Sequence, residues 1–192
     1  MIRHLLMLPS ICAFGLACVC PAVAQAPQPV FGWQFHTHDM AYLRRAIDRA
    51  AEDGVNHVQL SHGIIDDIED LFEHEGLAAD IEELATRAHG HGMKVFVWTH
   101  ELEAVPDGLK SDGKVNLDGP ALWRWLRGKY ERAFDLVPSI DGVILTFHET
   151  DASVYDDGDV RSSLPRPDRV TKLVDAMHDV CASRGKALFV RT

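Results

Sequence analysis

From Phe31 onward the chain alternates short apolar runs with longer stretches of helical period. Five runs are expected to be strands: Phe31–His36, Val55–Ser61, Lys94–Thr99, Gly142–Phe147 and Ala187–Val190. They are near-continuous apolar segments rather than strict alternations, which suits parallel strands buried on both faces. Helices are expected over Met40–Asp53, Ala79–His89 and Asp168–Arg184, and from Pro120 through Leu122, Leu126, Tyr130, Ala133 and Val137, which recur at helical spacing. Asp39 is placed to cap the first helix, and Gly54, Gly90, Gly92 and Gly185 to end helices. Residues 63–78 are expected to form a loop with a short helix, and Pro106–Gly119 and residues 150–166 to be long loops.

Strand–helix alternation of this kind predicts an α/β fold with a parallel sheet. A doubly wound sheet lacks support, because no glycine-rich phosphate loop follows the first strand. The expected architecture is a parallel (β/α) barrel that is incomplete, with four complete strand–helix units and a fifth strand over residues 31–192. A whole barrel of this type takes about 250 residues. The pattern therefore predicts the front part of a longer enzyme, inactive and prone to aggregate by itself because an edge strand and an apolar interior stay uncovered.

Composition narrows the class. Of 192 residues, 46% are hydrophobic and 25% charged, which excludes fibrous and disordered chains. Residues 1–26 read as a signal peptide: Arg3, then an apolar run from Leu5 to Cys20, then small-residue cleavage sites ending at Ala24 or Ala26. Pro9, Gly15 and Pro21 interrupt that run, so no membrane span is expected after cleavage, and the mature chain is expected in the periplasm or outside the cell. Residues 27–30 form a linker. A net charge of −10 argues against nucleic acid as a partner and leaves the oligomeric state open. Three of the four cysteines lie in the leader; the fourth, Cys181, falls on the apolar side of its helix and is expected in the core, with no disulfide framework.

Reactive side chains gather at the C-terminal ends of the strands: His36 and His38, then His62, then Trp98, His100 and Glu101, then His148, Glu149 and Asp151, then Arg191. One histidine at a strand end carries little. Recurrence over five successive strands is what the catalytic face of a barrel requires. Glu149, at the mouth of an apolar strand, is the first candidate catalyst, since partial desolvation favours a general acid. Glu101 is the second carboxyl; glycoside hydrolysis uses two, on opposite sides of the scissile bond. His36, His38, His62, Trp98, His100, His148, Asp151 and Arg191 are candidate substrate contacts. Sugar rings stack on aromatics such as Trp33, Trp98, Phe147 and Tyr155, and Arg191 with the histidines suits a uronate carboxylate. No cofactor is expected on this reading. The alternative is a divalent transition metal held by His36 and His38, an H-x-H pair, with His62, His100, Glu101 and His148 as further ligands. A second alternative is a non-catalytic carbohydrate-binding barrel.

The segments Phe31-Gly-Trp-Gln-Phe-His36, Lys94-Val-Phe-Val-Trp-Thr-His-Glu101 and Asp141-Gly-Val-Ile-Leu-Thr-Phe-His-Glu149 resemble those of secreted (β/α)8-barrel glycoside hydrolases, with α-glucuronidase-type enzymes as the nearest likeness. The resemblance implies a carbohydrate substrate and an acid/base role for Glu149, which stands where an Asn-Glu pair ends the fourth strand of the retaining enzymes; His148 takes the place of the Asn. The alternative metal reading resembles the amidohydrolases and the PHP phosphoesterases.

Overall fold

The computed structural model describes residues 29–100, 102–147 and 150–191. The expected leader at 1–26 lies outside them. No described helix is long and apolar enough to cross a membrane.

The main sheet has five parallel strands: β1 (Gly32–Phe35), β2 (His57–Leu60), β3 (Lys94–His100), β6 (Gly142–Thr146) and β8 (Ala187–Arg191). Their spatial order is their chain order, β1-β2-β3-β6-β8. A doubly wound sheet reverses its strand order at a switch point. This one never reverses, and it winds in one direction as a (β/α) barrel does. The connecting helices are α1 (Met40–Glu52), the short α2 (Asp70–Glu73), α3 (Leu77–Gly90), α4 (Pro120–Leu136) and α5 (Arg166–Ser183). All four expected long helices are present, with ends displaced by a residue or two. Asp39 caps α1 by accepting the Tyr42 amide, and Gly54 and Gly185 follow their helices at φ 78° and 66°, where a side chain would be strained.

Strand register sorts the side chains into two faces. On the helix side Phe35, Leu60, Val97 and Val143 lie abreast, flanked by Val58, Val95 and Leu145, all buried against Leu43, Ile47, Leu84, Leu126, Leu173 and Met177. This face supplies most of the core. Cys181 sits in it, as expected. The other face carries Gln34, Gln59, Phe96 and Gly142 in one row and Trp98, Ile144 and Phe189 in the next. Gln34, Gln59, Phe96, Trp98, Ile144 and Phe189 line a cavity of about 410 Å³ together with His57 and Arg191.

The two long loops hold structure that the sequence pattern did not show. Strands β4 (Lys110–Ser111), β5 (Lys114–Asn116) and β7 (Val160–Arg161) form a second sheet in which β5 pairs antiparallel with β4 and parallel with β7. Runs of two or three residues are too short for any periodicity to register. Asp157, in the acid-rich turn before β7, is held by Arg166 and Arg169 at 2.9 and 2.6 Å, so its carboxylate staples that turn to the start of α5.

The N-terminal rim of the main sheet is pinned rather than reactive. Asp141 accepts the Val95 amide (2.8 Å), Lys94 Nζ (2.6 Å) and His89 Nε2 (2.7 Å). Burial works against its charge, but these donors hold the carboxyl below its usual range.

Candidate active site at the strand mouths

The C-terminal ends of the main strands converge on a group of rings. His36, just after β1, stacks on His62, just after β2, with centroids 5.8 Å apart. His62 also contacts Trp98 at 5.3 Å and His100 at 6.0 Å, both on β3. Arg191, ending β8, places its guanidinium 4.9 Å from the centre of the Trp98 ring. Five of the expected site residues are therefore brought together: His36, His62, Trp98, His100 and Arg191. Parallel strands ending level with one another explain it, because the register sets His100, Thr146 and Arg191 side by side.

Each of two histidines is held by one of two consecutive aspartates. His62 Nδ1 lies 2.8 Å from Asp66 Oδ1, on the exposed side of the group. His100 Nδ1 lies 2.7 Å from Asp67 Oδ2, and Asp67 Oδ1 accepts the His100 backbone N–H at 2.6 Å. The second pair is buried, with side chains 5% and 12% exposed. Asp70, opening α2, accepts the backbone amides of both Asp66 (2.8 Å) and Asp67 (3.2 Å) and so fixes the segment that carries them.

A further carboxyl stands beside this pair. Glu103, in the loop after β3, accepts the Asp151 amide at 2.9 Å and is approached by the Thr150 hydroxyl at 3.4 Å. Burial and the charges of Asp67 and Asp151 push its carboxyl above the usual carboxylate value, against the Asp151 amide, which favours the ion. A carboxyl so placed keeps its proton to higher pH, as a general acid must. Asp151 reaches the site through Glu103; it also borders a small cavity of about 110 Å³ lined by Leu102, Val105 and Asp159. The sequence singled out Asp151 and Glu101 but passed over Glu103, Asp66 and Asp67. An acid three residues beyond His100 was the only hint of Glu103, and nothing local marked the aspartates.

The two histidines of the H-x-H pair are placed differently: His36 stacks on His62, while His38 is exposed in the loop between β1 and α1. Among the described residues no three histidine, cysteine or acidic side chains come close enough together to hold a metal ion. Phe147 is 2% exposed and belongs to the core, meeting the exposed Tyr155 edge-on at 5.6 Å, so it offers no stacking platform. Glu101, His148 and Glu149 lie outside the described residues.

Similar solved structures share the fold. The chain superposes on a Bifidobacterium longum GH5_18 enzyme variant in complex with Manβ1-4GlcNAc, with a TM-score of 0.54, 15% identity and coverage of 80% of this chain and 38% of that one. It superposes on the Flavobacterium johnsoniae chitobiase with a TM-score of 0.56, 13% identity and coverage of 83% and 31%. A Salmonella typhimurium protein assigned as an alpha amylase gives 0.55, 16% identity and coverage of 84% and 31%. The fold is a parallel α/β sheet with helices, corresponding to part of a (β/α) barrel. The chain spans about a third of the length of these structures. No protein-family model and no curated protein matches the sequence.

Proposed function

We propose that this chain belongs to the catalytic domain of a glycoside hydrolase acting on an oligo- or polysaccharide that contains an acidic sugar. The observation that carries the reading is the ring group at the strand mouths, where His36, His62 and Trp98 lie in contact and Arg191 stacks on Trp98. The exposed His36 ring suits the C–H face of a sugar, and the guanidinium of Arg191, held on the buried Trp98, suits a uronate carboxylate. Glu149 serves as general acid/base and Glu101 as the second carboxyl, with His38, His148 and Asp151 as further substrate contacts. The similarity in fold to structures named for carbohydrate-acting enzymes supports the same class, and the α-glucuronidase type is its finer form. The leader expected at 1–26 fits an enzyme that meets its polymer outside the cytoplasm.

The test uses the protein expressed from its full reading frame, assayed on neutral and uronate-bearing oligosaccharides. Hydrolysis of the acidic set is expected, with Glu149→Gln lowering kcat by about 10²-fold or more. Arg191→Met should raise KM for acidic substrates and leave neutral ones unchanged. A fully active Glu149→Gln protein overturns the assignment. So does activity abolished by chelation and restored by a transition metal, which would put the His36 metal reading in its place. Glycan binding with no turnover would make the domain a binding module.

A further inference from the structure

We infer that the open seam between α4 and α5 is an interface on which a second copy of this chain docks, related by a two-fold axis that runs along the seam. The inference is independent of the carbohydrate reading, because the seam belongs to the helix layer and uses no residue of the strand mouths.

Neighbouring helices elsewhere on this sheet close their outer seam with ion pairs. Between α1 and α3, Arg44 Nε donates to Glu83 at 2.7 Å and Arg87 Nε to Asp48 at 2.8 Å. Between α4 and α5 such a pair closes one end, where Arg184, just after α5, holds Asp135 at 2.7 Å. Further along, opposite charges are present but stand apart. Arg124 and Arg127 on α4 line one wall of a groove of about 610 Å³, and Asp168, Asp175 and Asp179 on α5 line the other. All five are exposed. Among the described residues the side chains of Arg124, Arg127, Asp168 and Asp175 have no hydrogen-bond or ion-pair partner, and Asp179 meets only its neighbour His178, at 3.9 Å. Trp123, Leu164 and Ala176, each half-buried, line the groove between the walls.

The heights of the two walls match. Lys172 Nζ lies 4.6 Å from the centre of the Trp123 ring, and both side chains donate to the Leu117 carbonyl, which locks the helices level there. Both helices lead back to a parallel strand, so they run the same way. Arg127, four residues beyond Trp123, therefore stands near the height of Ala176, between Asp175 and Asp179. A wall of one sign would call for a partner of the other sign. Two unpaired walls of opposite sign call for a surface that carries both, and this chain presents one. A two-fold axis along the seam exchanges left for right and keeps the height, so each copy's arginine wall lies over the partner's aspartate wall, twice over. An axis across the seam would set arginine on arginine. The long arginine side chains fill the partner's groove, and tryptophan and arginine are the residue types that most often anchor interfaces.

The experiment is size-exclusion chromatography with light scattering on the protein expressed from its full reading frame. Two charge-reversed variants accompany the wild type: Arg124→Glu with Arg127→Glu, and Asp175→Lys with Asp179→Lys. The wild type should dimerise, and its Kd should rise as salt is brought to about 0.5 M, because exposed charges are screened. Each variant alone should dissociate, with Kd raised at least about tenfold, since both walls then repel. An equimolar mixture of the two variants should restore a dimer holding one copy of each, because all-acidic walls then meet all-basic ones. Circular dichroism checks that each variant is folded; should a reversal fail to fold, Arg124→Gln with Arg127→Gln serves instead and should weaken the dimer. A wild type that stays monomeric from about 1 to 100 μM overturns the inference and leaves the groove to a different occupant. So does a dimer that the folded variants keep, or a pair of monomeric variants whose mixture does not associate.

Discussion

Lys129 on α4 and Glu69 just before α2 form a buried ion pair, Nζ to Oε1 at 2.6 Å, with side chains 3% and 11% exposed. Burial raises the Glu69 carboxyl above its usual value, and the Lys129 charge opposes that rise. The other carboxylate oxygen, Oε2, is buried with no hydrogen-bond partner among the described residues. Removing the cation alone strands a buried carboxyl. Lys129→Met should therefore cost about 3–5 kcal/mol of unfolding free energy, and adding Glu69→Leu should restore most of it. Urea denaturation reads both variants. Equal losses in the single and double variants would show that the apolar replacements, not the stranded charge, set the cost.

Acid should weaken one surface contact only at low pH. Asp48 on α1 accepts Arg87 Nε at 2.8 Å and His91 Nε2 at 3.0 Å, which ties α1 to α3 and its C-terminal end. Hydrogen bonds from Arg87 and then His91 hold its carboxyl at about 2, against a usual 3.8. The pKa is depressed by folding, so this stabilisation is complete above 3.8 and disappears as pH falls toward 2. The melting temperature of Asp48→Asn should lie below wild type near neutral pH, by a small margin because the group is solvent-exposed. The two curves should meet in acid. A gap that persists unchanged below the folded pKa would assign the effect to something other than charge.

Gly142 should tolerate no side chain. A Cβ there would overlap the Ala187 carbonyl oxygen of the neighbouring strand and press on the Phe96 ring. Both obstacles lie in the sheet, and neither can swing aside as a surface side chain could. Gly142→Ala should destabilise by about 3 kcal/mol or more, at the upper end of overpacking costs. Thermal melting, with amide exchange of the β8 residues as the local probe, checks both the size and the place of the damage.

Cys181 should be silent in the folded protein. Burial pushes its thiol up to about 12, so almost no thiolate exists near neutral pH. Iodoacetamide should leave the peptide containing Cys181 unmodified until denaturant is added, as mass spectrometry would report. Rapid labelling under native conditions would mean that α5 detaches from the sheet on that timescale.

The main sheet was legible because burial on both faces leaves a plain signature in the sequence. The apolar runs before His36, His62, His100 and Arg191 gave the strands, and parallel register then brought four of those side chains to one mouth. What failed depended on partners far apart in the chain. Asp67 looked like any acid in a polar loop until β3 placed His100 beside it, 33 residues on. His38 looked equivalent to His36, yet only one of the two faces the rings. Glu103 gains its character from burial and from Asp151, which reaches it from the loop after the neighbouring strand β6.

The pairing of β5 with β7 has a consequence for how such a site can change. Val115 and Val160 are bonded neighbours, so the loop after β3 and the loop after β6 are stitched into one unit. Glu103 and Asp151 belong to those two loops. An evolutionary or engineered exchange that replaced either loop alone would sever a shared seam. The two segments should travel between homologous scaffolds as a single cartridge, carrying both carboxyls with it.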